Sequence, residues 1–202
     1  MREGRTVTIG FVPETSSAAV SLITRTLEPA EWADMGVPLL ASPREVVKDL
    51  YARHLPAPTT AVVAAYDPDG RIRASASFAF RTGVVDGWER RNALLSHLRR
   101  VIPHDLRLRK PVRTAVLMVC RDGIPGWTAE DGAWMWGLRD ACTLHGLRCG
   151  SYVTLTGDGW HVIGENRAGR TPNAASWSHD RAGTPAVQAP GATPALRRAS
   201  VR

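Results

Sequence analysis

Residues 113–163 decide the fold, and they read RTAVLMVCRDGIPGWTAEDGAWMWGLRDACTLHGLRCGSYVTLTGDGWHVI. The apolar run from Val112 to Val119 predicts a buried strand, and glycine and proline residues follow it. A helix is then predicted to begin near Thr128 and to end at Gly146. The inward stripe of this helix comprises Trp134, Leu138, Ala141 and Leu144. Two short strands joined by a Gly-Asp-Gly turn complete the unit.

The chain before this unit also alternates helices and strands. A helix is predicted with Ser42 as its N-cap and Pro43 at its first position, and Glu45 completes the pattern of a capping box. Thr60–Tyr66 is apolar throughout and is typical of a central strand, whereas Ile72–Phe80 alternates like a strand with one wet face. Trp88–Ile102 returns to helical spacing. The whole order predicts an α/β domain with a mixed β-sheet sandwiched by helices.

The two ends of the chain differ in composition from the middle. Residues 1–38 are predicted to be a partly ordered N-terminal extension, and residues 39–165 the folded domain. Residues 166–202 are rich in Ala, Gly and Pro, carry six arginines against one acidic residue, and are predicted to be a disordered basic tail. The net charge of +7 therefore belongs largely to the tail. The basic pI of the whole chain does not by itself indicate a folded nucleic-acid-binding surface.

Length and composition exclude several classes of protein. No run approaches the roughly 18 consecutive apolar residues of a membrane span, and the N-terminus lacks the pattern of a secretion signal. We therefore expect a cytoplasmic protein without a membrane partner. Three cysteines, an odd number, argue against a disulfide framework and favour reduced thiols. No motif indicates a cofactor.

Several stretches resemble the JAB/MPN-type domain of RadC-related proteins, which has the cytidine-deaminase-like architecture. The stretches that carry the resemblance are Ser42–Val46, Tyr66–Arg71, Thr82–Asp86, Cys120–Asp131 and Thr156–Val162. They correspond in order to the family's opening helix, first hairpin turn, next loop, zinc-motif region and final hairpin. The resemblance covers about residues 41–165, and it implies the family's mixed sheet between helices.

The family's zinc motif has two histidines two residues apart, a serine eight residues after the second, and an aspartate three residues later. On this chain Thr128 takes the serine position and Asp131 the aspartate position, while Met118 and Cys120 hold the histidine positions. A thioether binds zinc poorly, and two remaining ligands do not hold the ion. A Thr-x-x-Asp pattern at a helix start is also explained by capping alone.

The general base of the family is also missing. The family's glutamate would fall at Thr59 or Thr60, and a hydroxyl is no base near neutral pH. The resemblance therefore implies a domain that has lost its hydrolase centre. The leading hypothesis is a non-catalytic RadC/JAB-like domain that acts as a binding or scaffold module.

Two alternatives stay open at the level of sequence. Cys142, His145 and Cys149 are spaced three and four residues apart, so one alternative is a metalloenzyme with a relocated Cys/His zinc site. That site would require Cys120 to converge with these three residues. The other is a nucleic-acid-associated protein, or one that binds an acidic protein, through a basic surface within residues 90–113. The residues of that surface are Arg90, Arg91, Arg99, Arg100, Arg107, Arg109, Lys110 and Arg113.

Overall fold

The computed structural model describes residues 25–36, 40, 42–102 and 111–173. The helices are α1 (Pro29–Asp34), α2 (Pro43–His54), α3 (Gly87–Val101) and α4 (Ala129–His145). The strands are β1 (Thr60–Tyr66), β2 (Ile72–Ala79), β3 (Thr114–Cys120), β4 (Arg148–Thr156), β5 (Gly159–Val162) and β6 (Arg167–Gly169). Within these residues, no helix is both long and apolar enough to cross a bilayer.

The strands form one mixed sheet in the order β2-β1-β3-β4-β5-β6. β1 runs antiparallel to both β2 and β3, and β4, β5 and β6 follow one another antiparallel. Only β3 and β4 are parallel, and α4 supplies the crossover that a parallel pair requires. The predicted α/β class with a mixed sheet is confirmed.

Helices cover both faces of the sheet, because β1 and β3 are apolar at every position of their centres. Alternate side chains of these strands point to opposite faces. One set packs with α3 and α4, where Trp134 and Leu138 are fully buried. The other set packs against α2 through Val47 and Leu50. The prediction of a sheet with helices on both faces is therefore confirmed.

Helix α4 is fixed at both ends by the residues that the sequence indicates. Thr128 is its N-cap and forms a capping box with Asp131, and Gly146 ends it with a φ of 78°. That left-handed conformation favours glycine. The predicted stripe needs one correction, since Leu144 is 44% exposed and His145 is buried instead. Position 145 lies three turns from Trp134 and returns to the same face, whereas position 144 is rotated away from it.

The α3–α4 contact is unusually close because glycine stands where the two backbones meet. A Cβ atom added at Gly137 would lie 2.8 Å from the backbone nitrogen of Arg91. Gly132, on the same helix, faces the backbone oxygen of Leu27 at 2.8 Å from such an atom, and Gly87 faces that of Arg25 at 2.2 Å. Helix α4 is thus held against its neighbours at backbone distance.

The start of α2 is as predicted, with Ser42 as the N-cap and Pro43 at the first helical position, but the Ser42 side chain makes no capping hydrogen bond and the predicted capping box is not formed. The N-terminal extension, predicted to be partly ordered, contains α1, which has a capping box between Glu28 and Glu31. The sheet also continues past residue 165 into β6, because its short strand pairs with β5. The rest of the predicted tail, from residue 174, lies outside the described residues.

Candidate functional site

The aspartate of the sequence motif, Asp131, is fully buried at the start of α4. Its Oδ1 accepts hydrogen bonds from Arg121 Nε at 3.2 Å and from the Tyr152 hydroxyl at 2.7 Å. Its Oδ2 accepts from Arg121 Nη2, from the Thr128 backbone nitrogen and from Thr128 Oγ1, each at 2.8 Å. A carboxylate offers about four lone-pair positions, so this one is saturated by protein donors.

The guanidinium of Arg121 is equally saturated. Besides Asp131, Nη1 donates to the carbonyl oxygens of Asp122 and Ile124, and Nη2 donates to that of Gly126. An arginine has five N–H groups in a fixed fork, and each of them has an acceptor here. The connection after β3 therefore wraps around the arginine, which joins it to the first turn of α4.

Tyr152 completes this centre from β4. Burial first, and then the negative charge of Asp131, raise the pKa of its phenol well above the ordinary value. The hydroxyl therefore stays protonated and donates to the carboxylate. Arg121 and Tyr152 were both missed by the sequence reasoning, because a buried partner for an aspartate depends on the parallel β3–β4 pairing and not on local spacing.

The two histidine-equivalent positions lie on the other side of the sheet from this centre. Met118 and Cys120 are fully buried in the cluster that faces α2, whereas Tyr152 belongs to the cluster under α3 and α4. Burial raises the pKa of the Cys120 thiol far above its usual value, so it is neutral. The residual motif positions are therefore not brought together as a set of metal ligands.

The relocated Cys/His site is not formed either. It requires Cys120 to meet Cys142, His145 and Cys149, but Cys120 faces α2 while Cys142 and Cys149 belong under α4. Across the described residues, no three His, Cys, Asp or Glu side chains come together as a group that suits a metal ion. The residues present do not fit zinc, and the metalloenzyme alternative loses its site.

The predicted basic surface is also corrected at Arg90, which is 2% exposed. It points toward α4 and the end of β2, where its guanidinium stacks on Trp134 at 4.5 Å and on Phe80 at 5.2 Å. Its Nη2 donates to the carbonyl oxygens of Arg81 and Val84 at 2.8 and 3.0 Å. Burial lowers the pKa of Arg90, an effect that the Glu130 carboxylate, 3.8 Å away, opposes.

The other predicted basic residues fall into three groups. Arg91 pairs with Asp140 at 3.2 Å, and Arg113 pairs with Asp67 at 2.9 Å. Arg99 and Arg100 are exposed in the last turn of α3 and form no ion pair within the part of the chain that the structure describes. Arg107, Arg109 and Lys110 lie outside the described residues.

A cavity of about 440 Å³ opens between the loop after β2 and the start of α4. Its lining consists of Thr82, Gly83, Val85, Arg121, Asp122, Thr128, Ala129 and Glu130. The Glu130 carboxylate accepts a hydrogen bond from the backbone nitrogen of Gly83, which ties the two walls together. This volume is in the range of small-molecule binding sites.

No family model, curated protein or solved structure matches the chain.

Proposed function

We propose that this chain is a RadC/JAB-like domain without hydrolase activity, and that it acts as a binding or scaffold module. The element order supports the assignment, since a helix, a β-hairpin, a helix–strand–helix unit and a closing hairpin follow one another as in the resembled family. The stretch from Cys120 to Asp131 connects β3 with the capped start of α4, which supports the assignment of this stretch to the motif.

The saturation of Asp131 is the observation that carries the proposal. A zinc ligand must offer a lone pair to the metal, and this carboxylate spends its oxygens on Arg121, Thr128 and Tyr152. The positive charge of Arg121 already balances the aspartate, so a divalent cation beside it would meet electrostatic repulsion. An arginine thus stands as the counter-ion of the motif aspartate.

The cavity between the β2–α3 loop and α4 is the surface that we assign to binding. Its lining combines the charged side chains of Arg121, Asp122 and Glu130 with the apolar surface of Val85 and Ala129. Its walls are fixed by the bond from Gly83 to Glu130 and by the arginine-centred loop after β3. A preformed cavity of this kind binds without a large ordering cost.

Metal analysis of the purified full chain tests the non-catalytic assignment. We expect far less than one zinc per chain, and no change in Tm when zinc or a chelator is added. The Asp131→Ala variant should resemble the wild type in metal content, although it is less stable. Stoichiometric zinc that is lost on Asp131→Ala would overturn the proposal.

A second candidate function, nucleic-acid binding, rests on the exposure of Arg99 and Arg100. The ring of His97, on the same helix, stacks on Phe78 of β2 at 4.1 Å between centroids, and burial and the charge of Arg100 lower the pKa of His97. Phosphate contacts would make the affinity for duplex DNA fall steeply with salt. The Arg99→Ala/Arg100→Ala variant should weaken binding, whereas the matched Arg44→Ala/Arg53→Ala change on α2 should not. Equal affinities of the two variants would remove this candidate.

A further inference from the structure

Two cysteines from different elements meet under α4. Cys142 lies near the end of α4 and is 1% exposed, while Cys149 lies at the start of β4 and packs half-buried against the same apolar cluster. The neighbouring Cys149 thiol, together with burial, raises the pKa of Cys142 well above its ordinary value. The third thiol, Cys120, is on the opposite face of the sheet.

A β-bulge turns Cys149 toward Cys142. In the β3–β4 pairing, Ala115 is opposite Cys149 and Leu117 is opposite Tyr152, so β4 carries one extra residue between the two pairs. Residues three apart on a regular strand point to opposite faces, but the bulge directs both Cys149 and Tyr152 to the face under α4. Gly150 is required in the bulge, since a Cβ there would lie 2.5 Å from the Ala115 oxygen.

The two sulfurs differ in access. β5 pairs with β4 only from Val153 onward, so at Cys149 the described strands flank β4 on the β3 side alone. Cys149 is half-buried at this open end of the strand, whereas Cys142 is buried on the inward side of α4. An accessible thiol backed by a shielded one is the arrangement of an attacking cysteine and a resolving cysteine.

We propose that Cys142 and Cys149 form a thiol–disulfide exchange site for small disulfides of the glutathione class. The Cys149 thiolate attacks one sulfur of the reagent, whose S–S bond breaks and releases the first thiol. The Cys142 thiolate then attacks the Cys149 sulfur of the mixed disulfide and releases the second thiol. Two protein thiols are oxidised to one disulfide, and one small disulfide is reduced to two thiols. This site is independent of the cavity and of the function proposed above.

The new bond would join the end of α4 to the start of β4 across Gly146 and Leu147. The backbone already brings these positions together, because the Leu147 nitrogen donates to the Cys142 oxygen at 2.9 Å. Closing a loop of this length restricts the unfolded chain more than the folded one. We expect oxidation to raise Tm by roughly 5 °C.

The test uses the folded full-length chain, which is incubated with oxidised glutathione. Free thiols are then alkylated without unfolding the chain and without adding a reductant. Peptide mapping by mass spectrometry should find a Cys142–Cys149 disulfide and an unlinked Cys120. Cys142→Ser should stop at a glutathione adduct on Cys149, and Cys149→Ser should take up no glutathione. The matched control Cys120→Ser should oxidise like the wild type.

Other outcomes would overturn the proposal. They are three unlinked thiols after oxidation, a bond that includes Cys120, and a Cys142–Cys149 bond that forms only in denaturant. Cys142→Ala serves as a second variant if Cys142→Ser fails to fold, and it should trap the same adduct on Cys149. The wild-type map decides the question without any variant.

Discussion

The guanidinium of Arg121 and the carboxylate of Asp131 face each other in a two-pronged ion pair. The contacts are 3.2 Å from Nε to Oδ1 and 2.8 Å from Nη2 to Oδ2, and both side chains are almost fully removed from water. Because Arg121 also binds the carbonyl oxygens of its own loop, one side chain neutralises the aspartate and shapes the connection between β3 and α4.

Replacing Arg121 by Met should strongly destabilise the protein. The substitution leaves a buried, uncompensated carboxylate, and breaking a buried pair in this way costs about 3–5 kcal/mol. Chemical denaturation measures the loss. The matched control Arg113→Met breaks the more exposed pair with Asp67 and should cost at most about 1 kcal/mol. Similar losses for the two variants would contradict the central role of Arg121.

Removing the hydroxyl in Tyr152→Phe should lower the free energy of unfolding by about 1–3 kcal/mol near neutral pH. The phenyl ring keeps the packing under α4, so the loss isolates the hydrogen bond to Asp131. A double-mutant cycle with Asp131→Asn should show that the two losses are not additive. Additive losses would mean that the hydroxyl contributes through another contact.

Stability should also decline in alkaline solution, and Tyr152 should account for part of that decline. The phenol has a raised pKa in the folded chain, so above its ordinary value of 10.0 the unfolded chain releases the proton first. The stabilisation is complete below pH 10 and is lost as pH rises further. The buried thiols Cys120 and Cys142 act in the same direction. Denaturation midpoints between neutral and strongly alkaline pH should fall less steeply for Tyr152→Phe than for the wild type.

Gly137→Ala should destabilise the α3–α4 contact by about 1–3 kcal/mol, although alanine is the better helix former. The added methyl group would meet the backbone of Arg91, which cannot move without shifting α3. Gly126→Ala is a suitable control, since a Cβ there has no neighbour closer than 3.8 Å. An unchanged Tm for Gly137→Ala would show that the helices are not in backbone contact.

Arg90→Met should loosen the loop between β2 and α3 more than it disturbs the core. The variant loses the bonds to the carbonyl oxygens of Arg81 and Val84, while a methionine side chain still packs against Trp134. Hydrogen exchange of the amides at residues 82–86 should become faster. Arg91→Met, which removes the pair with Asp140, the bonds to Asn92 and the stacking on Trp88, should leave those amides unchanged. Equal exchange in both variants would contradict the tether.

The sequence predicts the layers of this fold well and its polar interior poorly. Helical spacing predicts α4 and an unbroken apolar run predicts β1, because both patterns depend only on neighbouring residues. The capping positions Thr128 and Gly146 can also be recognised from the local sequence. The same reasoning gives the wrong environment for Arg90, which it places on the basic surface although the side chain is buried. An arginine at a polar helical position is usually solvated, and only the end of β2 shows that this one is enclosed by aromatic rings.

Of the contacts made by Asp131, one can be predicted from the local sequence and the others cannot. Its cap by Thr128 follows from four consecutive residues, whereas its pairing with Tyr152 requires the parallel β3–β4 crossover. The partnership with Arg121 lies only ten residues away, yet nothing in the letters between them reveals that the loop folds back. The register between distant strands and the path of the loop after β3 cannot be predicted from a local sequence pattern.

The close approaches at Gly87, Gly132 and Gly137 also limit which residues these three positions can accept. A methyl group is excluded at each of them by atoms of another segment, so a chain with the same helix spacing must keep glycine there. Two of the three lie five residues apart on α4, and the third is the first residue of α3. At these three positions a side chain larger than hydrogen requires a neighbouring segment to shift, whatever residues the charged surface carries.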